Sequence, residues 1–224
     1  MNSIFRGDLT TASGRAMAWL DSICVDHGMV RLFWSNWAAV VPGRLYRCNH
    51  PNPWRLARMT RRYGLTTLIN LRGATQSGSY ALAKEEALNL GLDFHDLSLE
   101  SRGAPQKDRI RRLFDIYASM RGPGLIHCKS GADRAGLAAG LFVLFEGGTA
   151  AAALRQLSLR FGHIKQAKTG ILDAFFLRYQ REGEAAGKSF LDWLRDDYDE
   201  AALKRDFHAN GLASFIDDWV LAHE

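Results

Sequence analysis

Short strands alternate with amphipathic helices in the pattern of apolar and polar positions. Apolar residues recur every three or four positions in the helical stretches, and short apolar runs lie between these stretches. Pro53 marks a helix start, and Gly64 and Gly91 mark helix ends. The predicted helices are 15–24, 53–63, 81–90 and 106–120, and the predicted strands are 66–71, 92–99 and 125–127.

Beyond residue 136 the pattern is helical to the end of the chain. The predicted helices there are 136–144, 150–161 with Thr149 as its cap, 171–182, 189–207 and 212–223. Strands that alternate with helices predict an α/β fold, with a parallel-rich central sheet flanked by helices and a helical C-terminal extension. We therefore divide the chain into an N-terminal arm (1–39), a central domain (40–182) and the extension (183–224), with one predicted linker at 183–187.

The N-terminal arm ends in an apolar stretch, residues 30–41, that contains Trp34 and Trp37. This stretch is shorter than the roughly 20 apolar residues that span a bilayer. We expect it to pack on the core, and a helix that lies on a membrane surface is the alternative.

Composition places the chain among globular proteins with one sizeable core. The 224 residues are 47% hydrophobic and include six tryptophans. Three cysteines, Cys24, Cys48 and Cys128, are too few and too scattered for a disulfide framework. The first eleven residues lack the apolar segment of a secretory signal, and no apolar run is long enough to span a membrane. These features predict a cytoplasmic protein.

The net charge of +5 hides a strong asymmetry along the chain. Between His27 and Lys84 there are nine lysines and arginines and no acidic residue, whereas from Glu182 onward eleven acids face four bases. A basic half attracts anionic substrates or an anionic membrane surface, and solvated helix faces without a target are the alternative. We expect no nucleic acid partner, because no recognised nucleic-acid module accompanies the charge.

The most informative segment is residues 127–134, which read His-Cys-Lys-Ser-Gly-Ala-Asp-Arg. A predicted strand precedes it, and an apolar helix follows it. In such a strand–loop–helix unit the backbone N–H groups and the positive end of the helix converge on one anion. The segment therefore predicts a phosphate-binding loop, and a chance match of the Cys-x5-Arg spacing is the alternative.

The residue types in this loop indicate covalent phosphoryl transfer. A thiolate is the nucleophilic form of cysteine, and a helix N-terminus with a nearby cation favours it, so Cys128 is the candidate nucleophile. The fork of donors on Arg134 suits two phosphate oxygens, which a lysine does not match. His127 is positioned to orient the loop. The candidate phosphate-binding residues are Lys129, Ser130, Gly131, Ala132, Asp133 and Arg134.

The loop resembles that of the cysteine-dependent protein tyrosine and dual-specificity phosphatases, His-Cys-x5-Arg followed by serine or threonine. Residues 41–47, 68–72 and Ser101-Arg102 with Pro105 resemble the opening hairpin, the first core strand and the acid loop of bacterial dual-specificity-like members. The resemblance covers about residues 40–180. It implies that the central domain is a phosphatase domain, that Cys128 forms a phosphocysteine and Arg134 binds phosphate, and that no metal or cofactor takes part. The seven histidines also lack metal-ligand spacing.

Two features of the loop bear on function. Ala135 stands where the family has a hydroxyl that helps to hydrolyse the phosphocysteine, so a phosphate-binding pseudophosphatase is one alternative. With Lys129 directly after Cys128 and Asp133 before Arg134, the loop sequence resembles that of inositol polyphosphate 4-phosphatases. Ala132 stands where their loop has a central lysine. We expect phosphotyrosine, phosphoserine and phosphothreonine proteins as substrates, with phosphoinositides or other phospholipids as the alternative.

Four carboxylic acids are candidates for the general acid. Asp133 is favoured, since the resemblance implies this role for an Asp before the loop arginine. Glu100 lies where other members place their acid, Asp96 lies 32 residues before Cys128, and Asp108 fits a helix N-terminus better.

Two further roles stay open at this stage. The resemblance implies that Gln166, in the connection 161–170, positions water; a surface loop is the alternative. Cys48 is either a buried apolar cysteine or the partner of Cys128 in a protective disulfide.

Overall fold

Five strands form one sheet in the computed structural model, which describes residues 3–26 and 34–208. The strands are β1 (Ala38–Val41), β2 (Leu45–Cys48), β3 (Thr67–Asn70), β4 (Asp93–Asp96) and β5 (Gly124–His127). Their order is β1-β2-β5-β3-β4, in which β1 and β2 are antiparallel and the other pairs are parallel. The predicted parallel-rich α/β fold is confirmed, and β5 lies at its centre.

Helices pack on both faces of the sheet. They are α1 (Ala12–Leu20), α2 (Pro53–Tyr63), α3 (Gly78–Asn89), α4 (Lys107–Ser119), α5 (Asp133–Phe145), α6 (Ala150–Leu154), α7 (Ile171–Glu182), α8 (Phe190–Asp196) and α9 (200–208). Helices α2 and α3 cover one face, and α4 to α9 cover the other with the larger apolar cluster. None of the described helices is both long and apolar enough to cross a bilayer.

Two helix predictions were wrong because tertiary contacts end the helices early. The predicted helix 150–161 stops at Leu154, and the side chain of Arg47 binds the Gln156 carbonyl at 2.7 Å. The predicted helix 189–207 breaks at 197–199, where Asp199 accepts hydrogen bonds from the first turn of α9. This break buries Tyr198, whose hydroxyl donates to the Pro105 carbonyl at 2.8 Å.

The remaining differences concern element ends and the strands β1 and β2, of which the sequence indicated only a hairpin resemblance at 41–47. The predicted strand 92–99 is shortened to β4. The predicted helix 212–223 and part of the apolar stretch 30–41 lie outside the described residues. Within that stretch Trp37 stacks on both Tyr46 and Tyr63, with ring centroids 5.2 and 4.9 Å away.

The C-terminal extension shares the main core. Trp193 of α8 is fully buried, and its ring lies 5.7 Å from that of Phe175 in α7. The predicted linker forms a short 3₁₀ turn, Glu184–Ala186. The division into arm, central domain and extension stays a prediction.

The N-terminal arm is held against α3 by polar contacts. Arg15 makes a bidentate ion pair with Glu85, at 2.7 and 2.9 Å. The buried Asp21 carboxylate accepts from the backbone N–H groups of Ile4 and Gly78, at 2.8 and 2.7 Å. A Cβ atom on Gly78 would lie 2.2 Å from the carbonyl oxygen of Ala18, so α1 approaches α3 where a side chain is missing.

Candidate active site

The loop 128–132 connects the carboxyl end of β5 to the N-terminus of α5. Parallel sheets bind ligands at the carboxyl ends of their strands, and β5 is the central strand. Cys128 is 2% exposed, and its Sγ accepts the N–H of Gly131 at 3.2 Å. The loop therefore curls around the sulfur.

The turn of this loop requires glycine at position 131. Gly131 has φ of +79°, a left-handed conformation that glycine adopts most readily. A Cβ atom there would lie 2.7 Å from the Asn49 nitrogen and 2.8 Å from the Cys48 carbonyl carbon. A side chain would collide with the backbone after β2, so the loop packs closely against its neighbour.

Arg47 braces the loop from behind, and sequence reasoning assigned it no role. It is fully buried, donates to the carbonyls of Gly131 and Ala132 at 2.8 and 3.1 Å, and stacks on Phe161 at 3.8 Å. Burial lowers the pKa of Arg47 to about 10, against the opposing effect of Cys128, so the side chain stays charged near neutral pH. The sequence feature that could have identified Arg47 is the presence of an arginine within the apolar strand β2.

Two further groups bind the remaining carbonyls of the loop. Asn36 Nδ2 donates to the Ser130 carbonyl at 3.0 Å, and the backbone N–H of His50 donates to the Lys129 carbonyl at 3.3 Å. The carbonyls of residues 129–132 thus all accept hydrogen bonds from groups outside the loop. When the carbonyls face outward, the intervening N–H groups are left to converge on an anion.

Arg134 lies in the first turn of α5 and is half-buried. Among residues 3–26 and 34–208 its side chain makes no hydrogen bond or ion pair, so its guanidinium donors are available to an anion. The following residue, Ala135, is fully buried in the core and brings no hydroxyl to the loop.

Asp133 is held by a buried histidine that sequence reasoning left without a role. His163 Nδ1 lies 2.8 Å from Asp133 Oδ1, and its Nε2 lies 2.6 Å from Asp173 Oδ2. Burial opposes the charge, but the hydrogen bonds to both carboxylates raise the pKa of His163 to about 9. The imidazolium therefore links the start of α5 to α7. The connection 161–170 returns to the loop through His163, whereas Gln166 is exposed.

The His163 contacts predict a pH dependence of stability. The folded-state pKa of about 9 lies above the reference value of 6.5, so the protonated ring contributes fully below pH 6.5 and its contribution is lost as pH rises through 9. We expect the free energy of unfolding to fall across this window by on the order of 3 kcal/mol. Urea titrations at several pH values measure it. The fall should flatten in His163→Gln and persist in His95→Gln, on the edge strand β4; an equally steep fall in His163→Gln would contradict the assignment.

The other candidate acids are engaged elsewhere. Glu100 pairs with Arg109 at 2.6 Å. Asp96 accepts from the Tyr80 hydroxyl at 2.6 Å and the Asn70 amide at 2.7 Å. Asp108 lies on the surface near Arg111. Of the four candidates, Asp133 is the one that adjoins the loop, as the first residue of α5.

Cys48 and His127 lie side by side in the register of β2 and β5. Cys48 and Cys128 are both free thiols, and burial raises the pKa of the Cys48 thiol. Cys48 packs in the smaller cluster with Leu56, on the face opposite the cluster that contains Cys128. The buried ring of His127 meets that of His50 edge-on at 4.7 Å.

No cluster of three or more potential metal ligands (His, Cys, Asp or Glu) occurs within the described part of the chain.

Comparison with known proteins agrees with this geometry. A sequence model described as the tyrosine phosphatase family matches residues 33–156. TpbA of P. aeruginosa has a similar fold, with a TM-score of 0.53 at 20% identity over 72% of this chain and 89% of TpbA. A cysteine-to-serine variant of TpbA in complex with phosphotyrosine gives a TM-score of 0.52 at 20% identity, over 71% and 88%.

PTPMT1 gives a TM-score of 0.50 at 13% identity, over 68% of this chain and 99% of PTPMT1. No curated protein sequence matches significantly. The family match covers more than half of the chain and includes the whole loop. The chain belongs to the tyrosine phosphatase family and is a cysteine-dependent phosphatase.

Proposed function

We propose that the protein hydrolyses phosphotyrosine, phosphoserine and phosphothreonine in proteins through a phosphocysteine at Cys128. The observation that carries this proposal is the outward orientation of the loop carbonyls. Four consecutive carbonyls, 129–132, are bound from outside by Arg47, Asn36 and His50, and the carbonyl at 132 also accepts the N–H of Gly136. Donors that are fixed before the substrate arrives stabilise the charge of a transferring phosphoryl group without reorganisation.

The reaction proceeds in two displacements at phosphorus. In the first, the Cys128 thiolate attacks, the S–P bond forms, the bond to the leaving oxygen breaks, and that oxygen takes a proton that Asp133 relays from the His163 imidazolium. In the second, water attacks the phosphocysteine, its proton passes through Asp133 back to His163, the S–P bond breaks, and phosphate and the thiolate are released. Arg134 binds two equatorial oxygens throughout.

We assign His163 as the positioning residue for Asp133. The hydrogen bond from Nδ1 to Asp133 Oδ1 occupies one carboxyl oxygen and directs the other. Because Asp173 binds the opposite ring nitrogen, the imidazole is fixed at both ends. In this proposal Asp133 and Arg134, adjacent on α5, serve the leaving oxygen and the equatorial oxygens respectively.

The role of Asp133 is tested by leaving-group dependence. In Asp133→Asn the amide oxygen still accepts from His163, so position is kept while the transferable proton is lost. We expect a loss in kcat of about 100-fold or more on an alkyl phosphate and of only about threefold on a nitrophenyl phosphate. Steady-state assays with both substrates measure this. Equal losses on both would move the role to Glu100, with Glu100→Gln as the next variant.

The basic face of α2 favours a second candidate substrate, an anionic phospholipid. Arg58, Arg61 and Arg62 are exposed on this helix, and Trp54 at its start is 70% exposed. Exposed tryptophan beside arginines is typical of contact with an anionic membrane surface.

A substrate panel tests the proposed function. Turnover of a nitrophenyl phosphate that vanadate inhibits establishes hydrolysis, and its absence would leave a phosphate-binding pseudophosphatase. A higher kcat/KM on phosphopeptides than on phosphoinositides in vesicles supports the protein substrate. The reverse order, with loss of the lipid activity in an Arg58→Gln, Arg61→Gln variant, would replace it with the phospholipid.

A further inference from the structure

A carboxylate from the N-terminal arm lies among cationic donors beside the loop. Asp26 follows the π-helical turn Asp21–Val25 that continues α1, and it is 6% exposed. Its two oxygens accept a bidentate pair from Arg72 at 2.7 and 3.0 Å. The Ser79 hydroxyl donates to it at 2.6 Å, and Lys129 Nζ lies 3.4 Å away.

This cluster adjoins the nucleophile. Lys129 directly follows Cys128 in the loop. Arg72 follows β3, the parallel neighbour of β5, and the preceding residue Leu71 donates its N–H to the His127 carbonyl at 2.9 Å. His50 joins the two, because its backbone N–H binds the Lys129 carbonyl and its ring Nδ1 lies 3.3 Å from Arg72.

The donors around Asp26 are those that bind phosphate. A guanidinium fork, an ammonium and a hydroxyl converge on a single oxyanion, and the same three groups recur where proteins bind phosphate monoesters. The carboxylate that fills this place belongs to the N-terminal arm, which attaches to α3 through the Arg15–Glu85 pair, the Gly78–Asp21 hydrogen bond and an apolar cluster that includes Phe5 and Leu82. An incoming dianion therefore competes with an internal carboxylate for the same donors.

We propose that Arg72, Lys129 and Ser79 form a second anion subsite beside the Cys128 loop, for a ligand that carries two phosphate groups. Asp26 occupies this subsite and restricts the enzyme to singly phosphorylated substrates, so the arm is a specificity element. The inference rests on the proposed function only in taking the Cys128 loop as the first phosphate site.

Calorimetric titration of the full chain with inorganic phosphate, diphosphate and triphosphate tests the subsite. In Asp26→Asn we expect diphosphate or triphosphate to bind about tenfold more tightly than in wild type, and phosphate to change by less than about threefold. The matched control is Asp108→Asn, which removes an exposed acid from α4 and leaves the arm and Asp26 in place; it should behave like wild type. An equal gain for all three ligands, or no gain, would overturn the subsite.

A second variant tests whether Lys129 accounts for the gain in polyphosphate affinity. Lys129→Ala in the Asp26→Asn background should return the polyphosphate affinity to within about threefold of wild type. If Asp26→Asn folds poorly, Asp26→Ser removes the charge and keeps a hydroxyl acceptor. If diphosphate and triphosphate gain no affinity relative to phosphate in Asp26→Asn while nitrophenyl phosphatase activity is intact, the subsite is refuted. If they do gain affinity but no turnover is measured, the proposed hydrolysis is refuted and the subsite is supported.

Discussion

Cys128→Ser is expected to lower kcat on a nitrophenyl phosphate by about 100,000-fold, because loss of a covalent nucleophile removes the whole two-step route. A serine hydroxyl is a far weaker nucleophile than a thiolate near neutral pH. In the wild type the Gly131 N–H donates to Cys128 Sγ at 3.2 Å. The serine oxygen is nearly isosteric with sulfur, so it can accept the same hydrogen bond and keep the loop conformation. We therefore expect phosphate binding to survive within about tenfold.

Steady-state kinetics and calorimetric binding of phosphate measure the two halves of this result. Cys24→Ser is the matched control, because Cys24 is an exposed free cysteine of the arm. It should retain wild-type kcat. Activity of the Cys128 variant within tenfold of wild type would show that the sulfur is not the attacking atom.

Arg134→Lys is expected to lower kcat by about 100- to 1000-fold, although the positive charge is kept. The guanidinium fork matches two equatorial oxygens, over which charge spreads in the transition state, whereas an ammonium acts as a point charge. Arg134 makes no competing ion pair with another described residue, so its donors are free for this task in the resting site.

The decisive readout for Arg134 is how the loss divides between kcat and KM. An interaction made mainly in the transition state lowers kcat, and one made equally in the ground state raises only KM. Arg111→Lys, on the exposed side of α4, is the control and should change neither. An unchanged kcat with a raised KM would limit Arg134 to substrate binding.

The loop was predictable from sequence because its information is contiguous. The unit needs only about ten consecutive residues, which contain the strand end, Cys128, Gly131 and Arg134. The local backbone conformation of these residues is sufficient to form the anion-binding loop. The start of α2 was equally local: Asn52 accepts a hydrogen bond from its first turn, as a capping residue does. The wrong predictions fell where a distant side chain, such as Arg47 at Gln156, ended a periodic pattern.

The amino-acid sequence by itself determined the α/β class, the alternation of helices with β3, β4 and β5, and a candidate phosphate loop with Cys128 and Arg134, since each depends on residues close together along the chain. Only the tertiary structure decided which groups hold that loop and surround it. Arg47 contacts Gly131 across 84 positions, His163 contacts Asp133 across 30, and Asp26 contacts Arg72 across 46. These side chains show no local period or spacing, because their function depends on the packing of β2, α7 and the arm around one end of β5. Hydrophobic burial fixes that packing, and the polar contacts beside Cys128 follow from it.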